Sequence, residues 1–108
     1  MYYTYVLYSE EDRGLHIGYS ANLKARFKQH TNGDVPSTAH RRPLILAYYE
    51  AYTYRQDAET RERFLKSGAG RTYLKKQMRT FCSLHPLRTK TTPKDMKSGR
   101  GCTDSNAA

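Results

Sequence analysis

From Tyr3 to Tyr8 the chain reads Tyr-Thr-Tyr-Val-Leu-Tyr, with aromatic and β-branched residues dominating both alternating sets of positions and no charge. A strand with one wet face alternates apolar with polar side chains. This one is patterned to be covered on both sides, as a central strand is. The polar cluster Ser9-Glu10-Glu11-Asp12-Arg13-Gly14 then supplies a turn, and Leu15 to Tyr19 returns as a second, antiparallel strand. Ser20 and Asn22 are both candidate caps for a helix running to about Thr31, with Leu23 and Phe27 as its apolar contact and Asn32-Gly33 as its end. A polar loop from Pro36 and Ser37 through Pro43 carries the basic cluster His40-Arg41-Arg42, and Leu44 to Thr53 reads as a third strand. A helix from about Arg55 to Lys66 stops at Gly68, and another runs from Arg71 to about Arg79. Strands and helices together predict an α/β (α+β) domain over residues 1–82. The remainder, 83–108, has so few apolar residues that burial cannot offset the entropy of ordering it, which predicts a flexible basic tail.

A chain of 108 residues has room for one domain with a thin core. Lys and Arg total 19 against 10 Asp and Glu, a formal charge of +9, which favours a polyanionic partner, nucleic acid first. No apolar run approaches a membrane span and no basic helix carries a strong apolar face, so membranes are set aside. The apolar N-terminus is too short for a signal segment and lacks the preceding basic residues, so a cytoplasmic location is expected. Cys82 and Cys102 alone make neither a disulfide framework nor a four-ligand zinc site; Cys82 with His85 could be half of one, against the simpler reading of two reduced thiols.

Arg26 and His30 project from one helix face beside Leu23 and Phe27, where a guanidinium can fork onto two phosphate oxygens and an imidazole can move a proton. The competing reading is a solvated pair. Glu62 shares a helix face with Ala58 and Leu65, and an acid there needs a cation: an arginine of the domain, or Mg²⁺. Tyr5 and His16 both lie mid-strand. A phenol must lose a proton at a cost of roughly 4 kcal/mol to act as a base at neutral pH, whereas imidazole is already mostly neutral there. The Gly68-Ala69-Gly70-Arg71 stretch lacks the ending of a phosphate loop and reads as a helix cap and link.

Taken together, Thr4-Tyr5-Val6, then His16-Ile17-Gly18, then Arg26, His30 and Glu62 stand in an order and spacing that resemble the GIY-YIG nuclease superfamily. The resemblance continues through Arg41-Arg42-Pro43, Tyr48-Tyr49-Glu50 and the helix holding Ala58, Glu62, Leu65 and Lys66, over about the first 80 residues. It is to small stand-alone bacterial members, similar to the nuclease domains of excision-repair and structure-specific endonucleases. The resemblance implies a three-stranded antiparallel sheet flanked by helices and a metal-dependent endonuclease, with DNA more expected than RNA and a repair or recombination context. It implies that Glu62 holds Mg²⁺ or Mn²⁺, Arg26 stabilises charge on the phosphate, Tyr5 activates water and His30 assists through its hydrogen bond. Tyr19, Lys24, Arg41, Arg42, Arg71 and Lys75 are further candidates for contact with nucleic acid. His16 stands where the family has its second tyrosine; imidazole is a competent general base but differs in reach and can carry charge.

The alternative is a binding module that keeps the fold but does not cut, its basic loop, last helix and tail docking on phosphates. An adaptor using exposed tyrosines is a third reading, opposed by sheet packing of most of the ten tyrosines. No element resembles a base-reading module, so low sequence specificity or a targeting protein partner is expected.

Overall fold

The computed structural model describes residues 1–88. β1 (Tyr2–Ser9) lies between β2 (Leu15–Ser20) and β3 (Leu44–Tyr52) in an antiparallel sheet of order β2-β1-β3, so the uncharged run is the central strand. Its alternation divides the molecule into two layers. Val6 and Tyr8, with Ile17 and Leu15 opposite them on β2, face a core completed by Leu65, Leu74 and Met78. These last come from α3 (Arg55–Lys66), α4 (Gly68–Gln77) and the residue before α5 (Arg79–Leu84). Tyr5, Leu7 and His16 face the opposite side. That layer is covered by α1 (Leu23–Asn32) and the short α2 (Pro36–Ala39).

Local chemistry sets the element ends. Asn22 caps α1, its side chain accepting from the Ala25 N–H, and Gly33 closes the helix at φ 85°, as Asn32-Gly33 predicts. The expected polar loop contains α2, which starts with Pro36 in its first turn. The helix expected from Arg71 begins earlier, at Gly68, because Ser67 caps it by accepting from Gly70 N–H while donating to the Phe64 carbonyl at 2.6 Å. A Cβ at position 70 would lie 1.9 Å from that carbonyl oxygen, so the corner requires glycine and is a helix junction, not a phosphate loop.

Between α3 and β3, Glu50 accepts from the Tyr48 and Tyr52 hydroxyls and from both prongs of Arg61 at 2.9 and 3.2 Å. The Arg61 guanidinium also lies over the Tyr73 ring, 4.5 Å from its centroid, which ties α3 and α4 to the outer strand.

Residues 83–88, expected in the tail, are held by the domain. α5 continues to Leu84, the Tyr8 hydroxyl donates to the Pro86 carbonyl at 2.8 Å, Leu87 packs on the core, and Arg88 N–H donates to the Arg13 carbonyl at 3.0 Å. The rest of the tail, with Cys102, lies outside the described residues. The His85 ring stacks on Phe81 at 4.1 Å, and no three His, Cys, Asp or Glu among the described residues gather to hold a metal. No described helix is long and apolar enough to cross a membrane.

Candidate active site

Strand alternation and hairpin register decide which polar groups share the α1 side of the sheet. Tyr5 pairs with Gly18 and Leu7 with His16, so the Tyr5 and His16 rings lie diagonally on one face, their centroids 6.3 Å apart. Glycine is required at 18: a Cβ there would come within 2.7 Å of the Tyr5 hydroxyl oxygen and 2.8 Å of its Cζ. The phenol lies flat over the space a side chain would fill.

α1 brings His30 down onto this face. Its Nε2 is 3.0 Å from the Tyr5 hydroxyl, and its Nδ1 is 2.7 Å from Thr38 Oγ1 on α2. Thr38 has the Val35 carbonyl at 3.5 Å to receive its own proton. The chain therefore orders itself: Thr38 accepts from Nδ1–H, leaving Nε2 bare to accept from Tyr5. Tyr5, His30 and Thr38 are all buried, so each bond is made in a poorly solvated setting.

Burial also sets the charge states. It lowers His30 to about 4, helped by the charge of Arg26, and lowers His16 to about 3, helped by His30, Arg41, Lys66 and Arg26. Both rings are neutral at pH 7. Burial raises the Tyr5 phenol above its usual value; the hydrogen bonding and charge of Arg26 pull it down, and Glu62 pushes it up. Arg26 on α1 and Glu62 on α3 thus both act on the Tyr5 oxygen, from opposite signs. Nδ1 of His16 is the one buried side-chain polar atom without a partner among the described residues, which leaves a hydrogen-bonding position open beside Tyr5 and His30.

Glu62 is paired with Lys66 one turn on, at 3.1 Å, so the cation predicted beside it is a lysine and not an arginine. The Glu62 side chain is partly exposed, at 19 %, and its charge reaches Tyr5. A single carboxylate in reach of water suits Mg²⁺ or Mn²⁺, which keep several waters and take one or two carboxylates, and does not suit a closed zinc site.

The remaining candidates separate. Tyr19 lies on the other face and donates to Glu59 at 2.6 Å, fastening β2 to α3 one turn before Glu62. Arg41 is turned inward, 9 % exposed and bonded to Asp12 at 2.7 Å, because the β1–β2 turn needs a cation for that carboxylate. Burial alone would raise Asp12, but its bonds to Arg41 and the Gly14 N–H, with the charges of Arg41 and Arg88, hold it below its usual value. Arg42 is exposed and donates to the Ala39 carbonyl at 2.8 Å. Lys24 is exposed on α1, Lys75 is exposed on α4, and Arg71 is half-buried there. Thr38 was not singled out from the sequence, and Lys66 stood there only as part of the α3 motif, without a role. The spacing of Glu62 and Lys66 would have revealed the second, whereas nothing in the 36–39 segment announces the first.

A family model described as the GIY-YIG catalytic domain matches residues 1–77. The "UPF0213 protein in ldhD 5′ region" of Pediococcus acidilactici is 36% identical over 77 residues, covering 68% of this chain and 78% of that protein. A UPF0213 protein of Clostridium perfringens is 36% identical over 67 residues, 61% of this chain and 71% of that one. A UPF0213 protein of Staphylococcus haemolyticus is 32% identical over 75 residues, covering 68% and 90%. No solved structure matches the chain.

Proposed function

Because the chain belongs to the GIY-YIG family of nuclease domains, we propose that it is a divalent-metal-dependent endonuclease hydrolysing phosphodiester bonds in nucleic acid, DNA before RNA. The observation that carries this reading is the buried chain Tyr5–His30–Thr38 lying in the field of Arg26 and Glu62. Tyr5 Oη takes a proton from an attacking water as it passes its own to His30 Nε2, the acceptor that faces it among the described residues. Arg26 forks onto the phosphate and stabilises the charge that grows there. His16 lies off this hydrogen-bonded chain, so its unpartnered Nδ1 orients the water while the proton moves between Tyr5 and His30. Glu62 would hold Mg²⁺ or Mn²⁺, which when bound supplies charge stabilisation at a phosphate oxygen.

One observation favours the binding module: Lys66 already neutralises Glu62. An i,i+4 pair of this kind contributes only about 0.3–0.5 kcal/mol, so a divalent cation displaces it readily. The test is cleavage of labelled single-stranded, duplex and branched DNA and of RNA with Mg²⁺ or Mn²⁺. Metal-dependent cutting that disappears in Glu62→Ala and Tyr5→Phe, with fold and binding retained, supports the enzyme. Salt-sensitive binding without cutting of any substrate supports the module.

A further inference from the structure

Next to Tyr5, on the same face, an open groove of about 450 Å³ runs between the sheet and α1. Tyr3, Leu46 and Tyr49 form its floor, and Leu23, Lys24 and Phe27 of α1 form its wall. Tyr49 is the cross-strand partner of Tyr5, Tyr3 lies two residues before Tyr5, and Phe27 follows Arg26. The groove therefore neighbours the proposed cutting site, with Tyr49 one strand spacing from Tyr5.

We propose that this groove is a nucleobase subsite, which stacks one unpaired base of the substrate strand on Tyr49; the inference rests on the nuclease reading above. Tyr49 is 52 % exposed, although it sits in the middle of a strand on a face that α1 otherwise covers. Its edge-to-face contact with Tyr3, at 6.0 Å, holds the ring in place and leaves at least one of its faces open. No acidic residue lines the groove, and Lys24 at its rim meets a phosphate on either side of a stacked base. Aromatic platforms beside a cation accept single-stranded nucleic acid whatever its sequence, because every base has a π-face. A base within a duplex has both faces covered by its neighbours. The occupant is accordingly a base in a single strand, a gap or a flap, and the groove selects for such substrates over continuous duplex.

The experiment compares a labelled thymidine oligonucleotide with an abasic strand of equal length by fluorescence anisotropy in a metal chelator, so that nothing is cut. Wild type is expected to prefer the thymidine strand. Tyr49→Ala should weaken that strand roughly five- to a hundredfold while leaving the abasic one within about twofold. Tyr49→Phe should restore the preference, and Tyr49→Leu, which keeps apolar packing against Tyr3, should not; circular dichroism confirms that each variant folds. Equal binding of the two strands by wild type, or equal weakening of both in Tyr49→Ala, overturns the subsite and leaves the nuclease reading standing. Failure of wild type to bind either strand overturns the subsite, and cleavage of the labelled substrates with Mg²⁺ or Mn²⁺ then decides the nuclease reading separately.

Discussion

Lowering the pH from 7.5 to 5 should destabilise the domain by about 4 kcal/mol, and the two buried imidazoles should account for most of it. His16 and His30 are held neutral, at about 3 and about 4 against an ordinary 6.5. The folded state therefore binds fewer protons than the unfolded chain, and the stability the neutral rings confer is fully present above about pH 6.5 and lost as pH falls toward those lowered values. At pH 5 each unfolded histidine has gained about 1.5 units of protonation free energy that its folded counterpart forgoes, or about 2 kcal/mol apiece. That figure hardly depends on the folded values so long as both lie well below 5. Asp12 and Glu50 are also lowered, from ordinary values of 3.8 and 4.5, so their contribution falls away mostly at lower pH. The chain has no tryptophan, so urea unfolding is best followed by far-ultraviolet circular dichroism at several pH values. The unfolding free energy should fall by about 2.3 kcal/mol between pH 6 and pH 5, approaching the slope of two protons, and His16→Phe should halve it. A stability that stays flat between pH 7.5 and 5 would refute the reasoning, because the rings would then protonate inside the fold and His30 could not be kept as an acceptor for Tyr5.

Other perturbations test the same geometry. Gly18→Ala places a Cβ 2.7 Å from the Tyr5 oxygen and must push the phenol off His30; cleavage should drop on the order of a hundredfold with nucleic-acid affinity retained. Thr38→Val leaves the His30 Nδ1–H without its acceptor, which should cost about 1–3 kcal/mol of stability and slow cleavage, whereas Thr38→Ser should restore both. Arg61→Met strips Glu50 of its cation in a partly buried pair; urea unfolding should show a loss of about 2–4 kcal/mol, with cleavage per folded molecule unchanged.

Much of the candidate site was legible because its spacings are short. Arg26 and His30 share a face by helical period, and Glu62 was marked by its place beside Ala58 and Leu65, both fully buried. Groups committed elsewhere could not be recognised from such spacings. Arg41 reads as part of an exposed basic loop until Asp12, from a distant turn, closes on it, and nothing near Tyr19 in the chain announces its bond to Glu59. Pro86, Leu87 and Arg88 look like tail because the groups that hold them, Tyr8 and Arg13, lie at the other end of the domain.

The sequence alone determined a doubly covered central strand, a hairpin, capped helices and a basic surface, since each follows from side-chain period, turn chemistry or net charge. Only tertiary structure decided that Tyr5 and His30 meet in a buried hydrogen bond, that His16 is buried with its Nδ1 unpartnered among the described residues, and that Tyr49 opens onto a groove. Those outcomes depend on burial and on partners far apart in the chain, and neither the solvent exposure of a ring nor the direction of a hydrogen bond is written in local order.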